Sequence, residues 1–267
     1  MARFSIFQHV QAALSYPGNY TRLFLLSEWS RLKSIGRRAK IHISSPYEGQ
    51  KILLVALFQK GRLREDILAV FAEARRKGGY VVAVNSLPLD MPSDLEGYCD
   101  LYVERYNFGR DFGSYKWGFC HLIERGMLER CPRILMMNDS VFFSRNRVSE
   151  FLDEMLDNEI EVIGATENYE INHHLGSFAI AIAGRVLRHK KFQSYWKKYH
   201  LSDVRPVVID RGEMGLSKVL RKCASSSEQF QALYDSSRFS DFLQNSDMQQ
   251  LERIIWMLRR CDLTPAK

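Results

Sequence analysis

Several short polar stretches of this sequence carry residue types suited to group-transfer chemistry. The apolar run ILMMNDS ends in Asn138, Asp139 and Ser140. A carboxylate at the end of an apolar strand can hold a divalent cation that neutralises a diphosphate, or it can hold a ribose hydroxyl. The alternative is a turn in which Asn138 and Asp139 bond their own backbone. Glu213 stands in IDRGEMGLS, between a predicted strand (VRPVVI) and a predicted helix (EMGLSKVLRKC). There it can take the proton of an attacking hydroxyl, or simply complement a helix N-terminus. RYNFGRDFGSYKWGF, residues 105–119, places Asn107, Arg110 and Asp111 just ahead of an aromatic helical pattern. Free backbone N–H groups at such a point suit phosphate, while Asn107 and Gly109 can form a turn and Asp111 can cap the helix. His173 and His174 lie beside Glu167 and Glu170. Adjacent residues point apart and no third ligand has suitable spacing, so hydrogen bonding to sugar or phosphate is expected ahead of metal ligation.

The surrounding segments must position these groups. KILLVALF (51–58) suits a strand buried on both faces, and REDILAVFAEARRKGG follows as a helix stopped by Gly78 and Gly79. YVVAVNS and LYVE continue the strand–helix–strand rhythm of a parallel sheet with crossover helices. In the aromatic stretch, Phe112, Tyr115, Phe119, Leu122 and Ile123 recur at helical spacing and face the core. NRVSEFLDEMLDN and RVLRHKKFQSYWKKYH read as helices, IEVIGATEN and SFAIAIAG as strands flanking the polar YEINHHLG. Beyond Ser225 the chain is polar and Ser- and Gln-rich, with a helical pattern in LERIIWMLRRC. Polar residues therefore close several consecutive strands, and a ligand site is expected at the strand ends before Gln59, Ser86, Asn107 and Asn138.

The chain of 267 residues has 46% hydrophobic and 26% charged residues, which fits a globular α/β protein. Residues 1–40 hold seven cations against one acid, while the remainder holds thirty-one against thirty. The basic segment, with Phe24, Leu25, Leu26 and Trp29 among its cations, suits either an anionic membrane surface or packing on the body. No nucleic-acid signature is present, and no apolar run is long enough to span a bilayer. The opening residues lack the short apolar core and small-residue cleavage site expected of a signal peptide, and five scattered cysteines without a C-x-x-C pair suggest reduced thiols in the cytoplasm. Dinucleotide, P-loop and nucleophile-elbow motifs are missing.

In their order, ILLVALF…LREDILAVF, VVAVNSL, RYNFGRDFGSYKWGF, ILMMNDSVFF, HHLGSFAIAI…KFQSYW and VIDRGEMGLSKVL resemble the rhamnan synthesis protein F family over about residues 51–222. These are bacterial glycosyltransferases of polysaccharide assembly, similar to the GT-A group. The resemblance implies a GT-A-like (Rossmann-like) α/β fold with a mostly parallel sheet flanked by helices, at residues 51–225. A basic helical extension (1–50) would precede it and a peripheral helical tail (226–267) would follow. It implies a nucleotide-sugar donor, dTDP-rhamnose above all, held by Asn107, Arg110, Asp111, Asn138, Asp139 and Ser140. His173, His174 and Ser177 would meet the acceptor or sugar, and Glu213 would be the base of an inverting transfer. Asp139 would bind Mg2+ or Mn2+. With Asn138 where such enzymes carry the first Asp of an Asp-x-Asp motif, metal-independent transfer assisted by Arg110 is the other expectation. The acceptor would be a glycan or lipid-linked chain of a surface polysaccharide such as O-antigen, reached from the inner face of the cell membrane. A non-catalytic scaffolding module of a polysaccharide assembly complex is the competing reading.

Overall fold

The computed structural model describes residues 17–169 and 172–234. In chain order the helices that matter here are α1 (Pro17–Ser34), α2 (Glu65–Arg76), α3 (Arg110–Glu124), α4 (Val148–Leu156), α5 (Lys190–Lys198) and α6 (Gly215–Cys223). The strands are β1 (Lys40–Ser44), β2 (Ile52–Leu57), β3 (Tyr80–Asn85), β4 (Leu101–Glu104), β5 (Arg133–Asn138), β6 (Val162–Asn168), β7 (His174–Leu175), β8 (Ala179–Ala183) and β9 (Phe230–Tyr234).

Every residue of β2, β3 and β5 is buried. Such strands are stable only in the middle of a sheet covered on both faces, and that is where they lie. The order is β1-β4-β3-β2-β5-β8-β6-β7, with β9 joined to β6. β4, β3, β2 and β5 run parallel, so their carboxyl ends emerge along one edge. β8 runs antiparallel between β5 and β6, and β1 runs antiparallel at the β4 edge.

Alternation along the strands divides the core in two. Ile52, Leu54 and Ala56 join Phe112, Tyr115, Phe119, Trp196 and Leu216 on one face. Leu53, Val55 and Leu57 join Ile67, Phe71, Leu152 and Met155 on the other. The aromatic helix α3 thus packs as its spacing indicates. Phe119 stacks on Trp196 of α5 at 4.6 Å between ring centroids, and Phe112 stacks on Tyr199 at 5.5 Å.

The structure corrects several expectations. VRPVVI is no strand: Arg205–Val208 is helical, Ile209–Met214 is a π-helix, and both run on into α6. With three β-branched valines VRPVVI reads as strand, but Pro206 at the start of a helix and the adjoining amphipathic α6 outweigh that propensity. The stretch RVLRHKKFQSYWKKYH breaks in two, because His189 adopts an extended backbone and its Nδ1 accepts the Lys191 N–H at 3.1 Å. Asp111 does not cap α3. Gly109 occupies the cap position without a side-chain bond. The extension and tail are not wholly helical or peripheral, since β1 and β9 both pair into the sheet and Phe230 is buried. The helical pattern in LERIIWMLRRC and the first sixteen residues lie outside the described residues.

Candidate functional site

The carboxyl ends of β2, β3, β4 and β5 open into a cleft of about 900 Å3 lined by Gln59, Ser86, Asn107, Arg110, Asp111, Asp139 and Ser140, together with Lys60, Arg62, Arg64 and Asp203. The expected strand-end residues are therefore neighbours in space.

The floor of the cleft is a bonded acidic cluster. Asn138, buried as the last residue of β5, donates from Nδ2 to Asp111 Oδ2 at 2.8 Å, and its Oδ1 accepts the Ser140 N–H at 3.1 Å. The turn expected at Asn138 is therefore present, but the same amide also grips Asp111. Asp139 Oδ2 accepts the Phe58 N–H at 3.0 Å and Gln59 Nε2 at 2.9 Å. Arg64 clamps the loop from outside, donating to the carbonyls of Asp139 (2.8 Å) and Val141 (2.7 Å) while its Nε pairs with Asp66. Burial, then the neighbouring Asp139, push the Asp111 carboxyl up to about 6, and Glu213 adds to the rise.

The turn into α3 is strained and anchored. Gly109 has φ +85° and Arg110 has φ +50°, a left-handed conformation unusual for a residue with a side chain. Three bonds hold it. The Gly109 N–H donates to Asp203 Oδ1 at 2.7 Å, Arg110 Nε donates to the Asp203 carbonyl at 3.1 Å, and Arg105 donates to the Phe108 carbonyl. Arg105 also reaches Ser86 Oγ (3.1 Å) and Ser114 Oγ (3.2 Å), and burial lowers its guanidinium to about 10. A Cβ on Gly109 would sit 2.8 Å from Leu201 Cδ2. Gly109→Ala is accordingly expected to destabilise the protein by about 1–3 kcal/mol, read as a lower midpoint in urea. An unchanged midpoint would mean that the turn can relax.

Glu213 sits within the π-helix, whose carbonyls at Arg211 and Gly212 accept the Tyr195 hydroxyl at 2.9 and 3.2 Å. Local π turns commonly mark positions where a side chain has been re-aimed. Here Glu213 Oε1 accepts Ser177 Oγ at 3.1 Å, and Oε2 lies 3.7 Å from His174 Nε2. The two-residue strand β7, paired to β6, places His174, and its Nδ1 bonds the Asn172 carbonyl at 2.7 Å. That bond keeps the hydrogen on Nδ1 and turns Nε2 toward Glu213. His173 turns the other way. Its Nε2 lies 2.8 Å from Glu167 Oε2, Arg221 meets its Nδ1 at 2.7 Å, and Tyr169 stacks on its ring. So His174 and Ser177 join Glu213, whereas His173 belongs to a separate surface cluster.

Some residues of the site escaped the sequence reading. Lys60, Arg62 and Arg64 alternate in QKGRLRED directly after β2, a legible cationic signal at a strand end. Neither Lys60 nor Arg62, both lining the cleft, makes a side-chain hydrogen bond or ion pair among the described residues. Asp203 has no such signal, because only the fold brings it to the α3 turn. Among the described residues there is no group of three or more His, Cys, Asp or Glu placed to hold a metal. The four described cysteines are free.

The chain is 28% identical over 182 residues to the uncharacterized protein y4gN of Sinorhizobium fredii, covering 64% of this chain and 47% of that protein. It is 34% identical over 90 residues to the virulence protein VirA of Vibrio anguillarum, covering 33% of this chain and 27% of VirA. The chain thus spans about half the length of the first relative and less of the second. Two solved structures are similar at low levels. They are 4-diphosphocytidyl-2C-methyl-D-erythritol synthase (TM-score 0.35, 10% identity, 61% of this chain and 86% of that one) and the glycosyltransferase GlyE of Streptococcus pneumoniae (TM-score 0.36, 13% identity, 72% and 47%). The family model for rhamnan synthesis protein F matches residues 80–260, which include the α3 turn, the β5 end and the π-helix. With more than half of its length matched, the chain belongs to the rhamnan synthesis protein F family.

Proposed function

We propose that this protein is a glycosyltransferase of polysaccharide synthesis, moving a deoxyhexose such as L-rhamnose with inversion from a nucleoside diphosphate to a glycan acceptor. The observation that carries this reading is the cleft itself. Four parallel strands end on a cluster of acids, and the same cleft is lined by Lys60, Arg62 and Arg110. Ligands of open α/β sheets collect at that end.

The roles follow from position. Glu213 takes the proton of the acceptor hydroxyl as its oxygen bonds the anomeric carbon and the bond to the diphosphate oxygen breaks. Ser177 fixes one oxygen of that carboxylate, and His174 faces the other. Negative charge growing on the departing diphosphate meets Lys60, Arg62 and Arg110, which line the cleft. Asp111 and Asp139 supply two carboxylates, the number that Mg2+ uses when it shares its shell with substrate phosphates. A cation held there, with Asp139 as ligand, would neutralise the diphosphate. Asn138, whose amide hydrogens already face Asp111, would orient that pair rather than ligate.

Binding of dTDP or UDP to the full chain tests the donor site. Ligand binding to the native state raises apparent stability, so a concentration-dependent rise in melting temperature is expected with the diphosphate and none with thymidine. Asp139→Asn should diminish that rise, and repeating the titration with Mg2+, Mn2+ or chelator reads the metal dependence. No rise with any nucleoside diphosphate would overturn the donor assignment. A rise without sugar transfer to any glycan would support the scaffolding role.

A further inference from the structure

Helix α1 is turned inside out relative to an ordinary surface helix. At about 3.6 residues per turn, Ser27, Ser30 and Ser34 fall on one face. This is the face against the body: Ser27 is buried, Ser30 lines the cleft, and Ser34 is half-buried. Leu25, Trp29 and Leu32, at i, i+4 and i+7, occupy the opposite face, Phe24 and Leu26 flank it and Ile35 follows, and all six are 53–67% exposed. An amphipathic helix in water presents the reverse arrangement. Large contiguous apolar surface of this kind marks a docking surface.

The charges around that face identify its occupant. Arg22, Arg31, Lys33, Arg37 and Arg38 stand within or next to α1 against the single acid Glu28, which pairs with Arg31 at 2.7 Å. Lys33 Nζ lies 5.3 Å from the centre of the Trp29 ring, so an apolar ring and a cation share one spot, as at a lipid–water boundary. The remaining segments of the chain bring no excess of acid to offset these cations. Residues 1–16 carry one cation and no acid, and residues 235–267 carry five of each. No described helix is long and apolar enough to cross a membrane, so a helix lying in the interface is the form that fits.

We infer that α1 is an interfacial helix that seats this protein on an anionic bilayer, with its serine face fastened to the rim of the cleft. The fastening is specific. The Asp203 N–H donates to Ser27 Oγ at 3.0 Å, and Ser202 Oγ lies 3.2 Å from the same oxygen. Asp203 is also the residue that holds the left-handed turn at Gly109 and Arg110. One residue therefore ties the membrane helix to the turn that opens α3, and the bilayer holds the cleft mouth at its surface. That last point, the presentation of a lipid-anchored acceptor, rests on the transferase reading. Bilayer binding does not.

Cosedimentation of the full chain with vesicles tests the inference without any donor or turnover. The protein is expected to sediment with vesicles of phosphatidylglycerol and phosphatidylethanolamine, less with phosphatidylcholine alone, and less again in high salt. The double substitution Leu25→Ser and Trp29→Ser should weaken partitioning at least about tenfold. It should leave the melting temperature unchanged, because both side chains face outward. Failure of the wild-type chain to bind anionic vesicles would overturn the inference, as would equal binding by the double variant. A wild-type dimer that the double variant converts to monomer, with no vesicle binding by either, would assign the face to a second copy of the chain instead.

Discussion

Glu213→Gln is expected to lower the rate of sugar transfer by about 10²–10⁴-fold, the range for loss of a general base, while leaving nucleoside diphosphate affinity unchanged. Gln keeps the length of the side chain and can still accept the Ser177 hydroxyl, now 3.1 Å from Oε1. What it cannot do is hold the proton released by the acceptor. Affinity for the diphosphate should be preserved because Glu213 approaches the cluster from the π-helix ahead of α6, whereas the cations lie on the loop after β2 and at the α3 turn. Binding and transfer must therefore be measured separately on the same preparation. A Glu213→Gln protein that transfers at the wild-type rate would remove the base assignment and return Glu213 to a structural role in the π-helix.

Asp111→Asn is expected to make the protein more stable and less able to bind its ligand. Because the folded-state carboxyl is raised from 3.8 to about 6, the native state binds that proton more tightly than the unfolded chain does. Below pH 4 both states are protonated and the group has no effect. Between about pH 4 and about 6 the unfolded chain gives up the proton that burial, and then the neighbouring Asp139, keep on the folded state, so stability falls across that window and levels off above it. At about 1.36 kcal/mol per unit, the full penalty above pH 6 is up to about 3 kcal/mol. Asn removes it while keeping an oxygen for the Asn138 amide. Urea unfolding at pH 7.5 should show the variant more stable, with the advantage disappearing toward pH 4. A constant difference across that range would mean that Asp111 is not the titrating group. The stability given up by the wild type is the kind of cost that functional acids carry. A divalent cation or other positive charge at the cluster would favour ionised Asp111, and proton release on binding would reveal it.

Much of the fold was legible because burial dictates composition. β2, β3 and β5 are apolar at nearly every position, which is possible only between two helical layers, and α3 carries its aromatics at the spacing that meets Trp196. The locations of Asn107, Arg110, Asp111, Asn138 and Asp139 were legible for a related reason. Polar residues that interrupt such strands at their ends must emerge on one edge of a parallel sheet. Local propensity misled at 204–209. Valines that suit a strand were carried into a helix by the amphipathic segment that follows, and the resulting π-helix re-aims Glu213.

By itself, the sequence determined the α/β class, the parallel core and the residues at the strand ends, because those depend on side-chain period and burial along one segment at a time. Only the tertiary structure decided which of them act together. His173 and His174 are neighbours in the chain, yet one bonds Glu167 and the other, at the start of β7, faces Glu213. Asp203 became an anchor of the α3 turn across 94 residues of chain, and the Asp111 carboxyl was raised by burial and then by Asp139, 28 positions further along. The outward face of α1 was likewise undecided in sequence, where Phe24, Leu25 and Trp29 fit a core as well as a bilayer. Ser27, bonded to the cleft rim, turned those side chains away from the core, because a helix can present only one face to the body.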